Sequence, residues 1–481
     1  MDIANLIVAI VACAAAIMAI PGIYIIMDRH RQKAYDISLP KGALKLYHKA
    51  MKCKRRGKYG EEFKLLVRAR REDGLEDEAQ ALLEWELGRC WVQLGFIEDA
   101  IESYENALPD SYEDALYPWQ AEAYEELAAL YETGEEALRC YRNAAQLRDR
   151  FGRPEDESTV SLLRKIADML WDDGEEDEAR VWYNKEIAVR DRLLPKEVDE
   201  LAERLIAQGE ELMQSKQYDQ AAKEFTKAME TLVPRLGMLH TRVINICNYL
   251  ALAYDGITIQ YAQNKNEFHR FALVRVECWE KALNAIERLF QDCEFTAQAH
   301  GNAGDAWKDY AMLDFSVIGV SVTTGPIIEV IESDNAILLR AVPHYERALQ
   351  IFKENIGNNM PIIARIHRAL GKIYGELGRH KEAIAELSNA CPYYQKTQEN
   401  DDLALTYLYL ATTYCKMCSY TESLSWFFFA WRLFDKLEQP GPAEAAFEAM
   451  KEAFLESELS RGQHKPFEEW LREQTEAEES A

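Results

Sequence analysis

Residues 364–390, ARIHRALGKIYGELGRHKEAIAELSNA, carry the pattern that decides the fold. Leu370-Gly371 is a large residue followed by a small one, Tyr374 stands three positions on, and Gly378 punctuates the run. Beyond it come Ala383, Leu387 and Ala390, spaced by four and three. Such spacings line up side chains on one face of a helix. Small residues mark where two helices approach closely, and the aromatics fill the gaps between helix pairs. The pattern recurs along the chain. Leu87-Gly88, Trp91 and Gly95 precede Ala100, Tyr104 and Ala107, and Leu127-Ala128 and Tyr131 precede Ala137, Tyr141 and Ala144. Ile166-Ala167 and Gly174 lead to Ala179 and Tyr183, Gly209 and Leu212 to Ala221, Phe225 and Ala228, and Leu410-Ala411 and Tyr414 to Phe427 and Ala430. Two units are interrupted: Leu250-Ala251 and Tyr254 are completed by Trp279 and Ala282, and Ala303-Gly304 and Trp307 by Ala341, Tyr345 and Ala348. A degenerate unit (Ala50, Gly57, Leu66, Ala69) opens the array, and a last one runs from near Ala443 to the helix around Trp470.

Unit starts at 43, 81, 121, 160, 202, 244, 297, 364, 404 and 443 give steps of 38 to 42 residues, with 53 and 67 at the interrupted units. A fixed period of this length is the signature of a repeat architecture. Over roughly residues 43–475 the chain resembles the tetratricopeptide repeat (TPR) family, whose unit is a helical hairpin. Steps near 40 are similar to the long-repeat branch that includes kinesin light chains and the SNAP adaptors of vesicle fusion. The resemblance implies an all-α chain, an α-solenoid of about ten TPR-like hairpins. It also implies a concave face lined by the first helices, which takes an extended peptide or a partner helix.

Ahead of the repeats, Ile3 to Met27 (IANLIVAIVACAAAIMAIPGIYIIM) holds 25 uncharged residues, enough to cross about 30 Å of hydrocarbon as a helix. A cleaved secretory signal wants a basic start, and this chain opens Met1-Asp2. A buried cap helix is the second reading, and a signal anchor the third. Flanking charge favours the anchor. Arg29 to Arg71 holds 15 Lys/Arg against 3 Asp/Glu, whereas Glu72 to the end holds 41 against 77. Positive charge stays on the cytoplasmic side, and a basic block there can also rest on anionic lipid. The expected organisation is a transmembrane signal anchor at 1–28, a basic juxtamembrane linker at 29–42, the solenoid at 43–475 and an acidic tail at 476–481. Insertions fall near 255–270 and 315–335. The expected location is a single-pass protein with a cytosolic body, in the mitochondrial outer membrane or the endoplasmic reticulum.

The net charge of −26 rules against nucleic-acid binding by phosphate neutralisation. The ten cysteines lack framework spacing, and Cys415-x-x-Cys418 has no second Cys or His pair to complete a zinc site. There is no phosphate loop, no Gly-x-Ser-x-Gly elbow and no His-Glu-x-x-His. His300 to Asp305 resembles a phosphoesterase string but falls in a repeat helix and reads as packing. No enzyme, cofactor or metal is expected; the expected partners are proteins or peptides, and a membrane through residues 3–27 and the basic block 29–71. The register places Arg164, Lys165, Arg365, Arg368 and Lys372 on the groove side of first helices, as candidate anchors for an acidic peptide. Glu122, Glu125 and Glu126 hold the same positions in another unit. The competing reading is that these are solvated faces of amphipathic helices. A family variant grips acidic C-terminal tails with Lys and Asn at fixed groove positions; Asn245, Asn248 and Asn302 lack the matching Lys set, so that clamp is not expected. Phe315 to Ile328 (FSVIGVSVTTGPII) is apolar and too short to span as a helix. A membrane-anchored scaffold or receptor and a peripheral SNAP-like trafficking adaptor are the two functions these observations support.

Overall fold

The computed structural model describes residues 39–109, 112–152, 155–261, 264–311, 334–356, 360–461 and 466–479. Among them are twenty α-helices and no strand. They fall into two compact units that meet in sequence between Val189 and Arg190. The first holds α1 (Lys41–Lys54), α2 (Tyr59–Arg70), α3 (Asp77–Leu94), α4 (Ile97–Ala107), α5 (Trp119–Tyr131), α6 (Glu135–Arg150), α7 (Glu157–Asp172) and most of α8 (Glu176–Leu193). In the second, α9 (Lys196–Gln214), α10 (Tyr218–Leu236), α11 (Thr241–Gln260), α12 (Lys265–Leu289), α13 (Glu294–Ala311) and α14 (Asp334–Ile351) come first. They are followed by α15 (Met360–Glu376), α16 (His380–Thr397), α17 (Asn400–Lys416), α18 (Tyr420–Lys436), α19 (Pro440–Arg461) and α20 (Phe467–Glu479). Among the described residues odd- and even-numbered helices pair into ten hairpins, and each of the ten expected unit starts lies inside an odd-numbered helix.

The small residues sit where the register requires them. A Cβ at Gly209 would stand 2.5 Å from Phe225 Cε1, one at Gly371 2.5 Å from Leu387 Cγ, and one at Gly304 2.9 Å from the Tyr345 ring. Each glycine of a first helix thus lets the large residue of the second helix close over it. Phe225, Leu387 and Tyr345 are fully buried as a result. Fully burying a side chain of this size contributes about 2–3 kcal/mol, which an isolated hairpin cannot secure on its own.

The turn inside the hairpin is also repeated. Gly95, Gly174, Lys216, Gly378 and Cys418 all take a φ between 58° and 84°. In each case the next residue donates its N–H five residues back, as Phe96 does to Trp91 O at 3.0 Å and Gln217 to Leu212 O at 2.9 Å. This is the Schellman closure that satisfies the last carbonyls of a helix. Glycine adopts it without a Cβ clash, so Lys216 and Cys418 hold a strained version of the same turn.

Three expected boundaries change. Residues 255–270 are not an insertion: 255–260 complete α11 and 265–270 begin α12, and the 53-residue step comes from helices of 20 and 25 residues. Lys41 and Gly42, read as linker, already belong to α1, which starts after Pro40. Residues 476–479, read as tail, continue α20. The expected span at 3–27, residues 29–38 of the basic block and Phe315 to Ile328 lie outside the described residues. No helix among the described residues is long and apolar enough to cross a membrane.

Candidate functional site

Three of the five candidate groove residues come together in the second unit. Arg365, Arg368 and Lys372 occupy positions i, i+3 and i+7 of α15, and so share one face. With Lys308 of α13, and Leu405 and Tyr409 of α17, they line a cavity of 160 Å³. First helices of three successive hairpins therefore contribute to one site.

Carboxylates set the geometry beneath these cations. Asp305 of α13 accepts from the Tyr345 hydroxyl at 2.6 Å and from Lys308 Nζ at 2.9 Å, with Arg365 Nη1 at 3.6 Å. Burial works against its ionisation, yet Lys308 and Arg365 hold Asp305 below the usual carboxylate range. Burial likewise works against the charge on Lys308, and Asp305 and Asp309 raise its pKa instead. Burial lifts Tyr345 well above its ordinary value, so it stays a donor. Arg365 also reaches Asn302 Oδ1 at 3.5 Å. Arg368 pairs with Asp402 of α17 at 2.5 Å, and its guanidinium lies 5.5 Å from the Tyr394 ring centre. Lys372 differs: its ammonium stands 5.5 Å from the Tyr409 ring centre, and no carboxylate pairs with it among the described residues. The site is thus a half-buried cationic pocket with one ammonium left to a ligand, and it suits a carboxylate.

Arg164 and Lys165 are not part of it. They lie on α7 of the first unit, and Arg164 forks onto Glu186 of α8 at 2.7 and 2.9 Å. Glu186 is fully buried. A buried carboxylate stays ionised when a cation pairs with it, so Arg164 is engaged by the hairpin's own interior and does not stand free in the groove. Lys165 is exposed, with Nζ 5.3 Å from the Tyr141 ring centre. The acidic positions of α5 are likewise engaged: Glu122 and Glu126 hold Arg89 at 3.5 and 2.6 Å, and Glu125 holds Arg148 at 2.6 Å. Cys415 donates to Ser423 Oγ at 3.3 Å while Cys418 is exposed. Among the described residues no three His, Cys, Asp or Glu side chains group as metal ligands.

Sequence reasoning missed the pocket around Arg89 and Glu62 in the first unit. The signal was present: Glu62, Leu66 and Ala69 follow the spacing of an apolar stripe, and all three are buried.

Comparison with known proteins bears on the second unit. Residues 338–396 match the tetratricopeptide repeat family. That repeat segment runs from α14 through α16 and includes Arg365, Arg368 and Lys372. No curated protein matches the chain in sequence. Solved structures similar to it include three helical-repeat proteins. One is a set of nearly identical TPR-like repeats of kinesin-light-chain type from Podosopora anserina, 15% identical, covering 50% of this chain and 93% of that one, with a TM-score of 0.28. Another is the C-terminal part of a TPR repeat-containing protein from Cytophaga hutchinsonii, at 14% identity, 56% and 95% coverage and a TM-score of 0.25. The third is a Rap protein complexed with competence and sporulation factor, at 12% identity, 86% and 98% coverage and a TM-score of 0.30.

Proposed function

We propose that this protein is a membrane-anchored, non-catalytic scaffold or receptor whose first-helix face in the second unit receives an acidic segment of a partner protein on the cytosolic side. The observation that carries this reading is the meeting of Lys308, Arg365, Arg368 and Lys372 in one pocket of a strongly acidic chain. A carboxylate of the partner pairs with Lys372, and its neighbours fix the register of the bound segment. Complementarity of this kind contributes to partner choice and encounter rate more than to raw affinity. The test is fluorescence anisotropy with a labelled Asp/Glu-rich peptide. Reversing two surface charges, Arg365→Glu and Lys372→Glu, removes on the order of 1 kcal/mol each and weakens binding at least tenfold, and 0.5 M salt does the same to the parent. Equal binding by the double variant refutes the site.

The anchor half of the reading rests on Ile3 to Met27 and on the basic block behind it. Lys41, Lys45, Lys49 and Lys52 all lie exposed on α1, a helix with no Asp or Glu. Anionic lipid attracts such a stripe by about 1 kcal/mol per charge close to the surface. Carbonate extraction with and without residues 1–28 tests the anchor. Release of the full chain into the supernatant replaces it with a peripheral, SNAP-like adaptor.

A further inference from the structure

In the first unit, a cavity of 620 Å³ is lined by residues of α1 to α5. Its charged groups are nearly all matched. Lys54 pairs with Glu86 at 2.5 Å. Arg89 lies 3.8 Å over the Trp85 ring and pairs with Glu126 at 2.6 Å, and Glu126 also accepts from Trp85 Nε1 at 2.8 Å and from the Tyr104 hydroxyl at 3.1 Å. Glu62, on the cavity wall, is the exception. It is 1% exposed, and neither carboxylate oxygen has a hydrogen-bond partner.

A buried carboxylate without a donor is an unmet demand for a cation or a proton. The rest of the wall describes which cation fits. Tyr47 and Tyr59 contribute aromatic rings, a residue type that attracts ammonium groups, and Met51, Val92 and Leu130 contribute apolar surface for a stem. We propose that this cavity binds an alkylammonium group on an aliphatic stem, either a lysine side chain of a partner or a free polyamine, which pairs with the Glu62 carboxylate. The site is distinct from the cationic pocket of the second unit and selects the opposite charge.

Burial pushes the empty Glu62 carboxyl up to about 7, against the pull of Lys54 and with help from Glu86. The charged and titratable groups lining the cavity with it are Tyr47 and Lys54 of α1, Arg55 just beyond it, Tyr59 of its own helix, Glu86, Arg89 and Cys90 of α3, Tyr104 of α4 and Glu126 of α5. Burial pushes the Cys90 thiol up to about 12, so it remains neutral around pH 7. Ionisation of Glu62 therefore gates the site, and cations bind more tightly as pH rises.

The test is calorimetric titration of the full chain with n-butylammonium chloride, with spermidine, and with a peptide carrying one lysine, each against sodium chloride at matched ionic strength. At pH 8 at least one probe binds saturably, and comparing spermidine with the peptide distinguishes the two sources. At pH 6 that affinity falls about tenfold, following the ionised fraction of a group titrating near 7. Glu62→Gln keeps the shape, and circular dichroism establishes that it folds; it loses at least tenfold at pH 8. No saturable binding by any probe, equal binding by Glu62→Gln, or a pH-independent affinity each overturns the proposal.

Discussion

Glu62→Gln, with no ligand present, gives a stability prediction whose size follows from the structure. The carboxyl titrates at about 7 in the folded chain against an ordinary value of 4.5, chiefly because burial penalises its charged form. Between those two values the folded chain keeps a proton that the unfolded chain has released. The stability this group contributes is therefore complete below pH 4.5 and is lost as pH rises through 7. The difference corresponds to about 3 kcal/mol, as an order of magnitude. Glutamine resembles the protonated form and does not titrate. The variant should match the parent near pH 4.5 and exceed it by about 3 kcal/mol at pH 8. A single global unfolding energy is ill-defined for a repeat array with two units. Hydrogen exchange of peptides from α1 to α3 is the suitable assay, since it reads local opening. At pH 8 the variant's amides should exchange about a hundredfold more slowly than the parent's. Equal protection at pH 8, or a difference of the same size at pH 5 and pH 8, refutes the assignment of an unpaired buried carboxyl.

Other consequences are local to single hairpins. Gly209→Ala places a methyl group 2.5–2.8 Å from the Phe225 ring; overpacking at about 1–3 kcal/mol exceeds the helix-propensity gain of about 1 kcal/mol, so exchange in α9 and α10 should speed up. Lys216→Gly relieves a φ of 58° and should slow opening of the same hairpin by about 0.5–1 kcal/mol; faster exchange would contradict the turn geometry. Arg164→Ala leaves the fully buried Glu186 without its fork and should destabilise α7 and α8 by about 3 kcal/mol, whereas a free groove arginine would change peptide binding and leave exchange untouched.

The α1 stripe and the two pockets give each unit a separate chemistry. On the proposed readings, the pocket around Lys372 takes an anion and the cavity beside Glu62 takes a cation. The cavity holds a carboxyl raised to about 7, so pH tunes the proposed cation binding there.

The hairpins and their register are legible in the order of residues alone. Gly88 and Tyr104, Gly209 and Phe225, and Gly371 and Leu387 each pack across a single turn, at a constant sixteen-residue separation. Contacts so close in sequence leave a periodic trace, and the small-to-large pairing cannot shift by one residue without a clash. The step of 53 residues misled because period alone does not distinguish an inserted loop from longer helices; α11 and α12 simply continue their turns. Charge was where the linear reading failed. Arg164 and Arg368 look alike in the register, yet one is locked to Glu186 inside its hairpin and the other lines an open pocket. Side chains that meet from different helices obey no period, and which carboxylate reaches which cation depends on the packing. The same holds for Glu62. Its place on a buried stripe is visible in the chain, but the pairing of Lys54 with Glu86, which leaves it without a donor, arises from packing between helices.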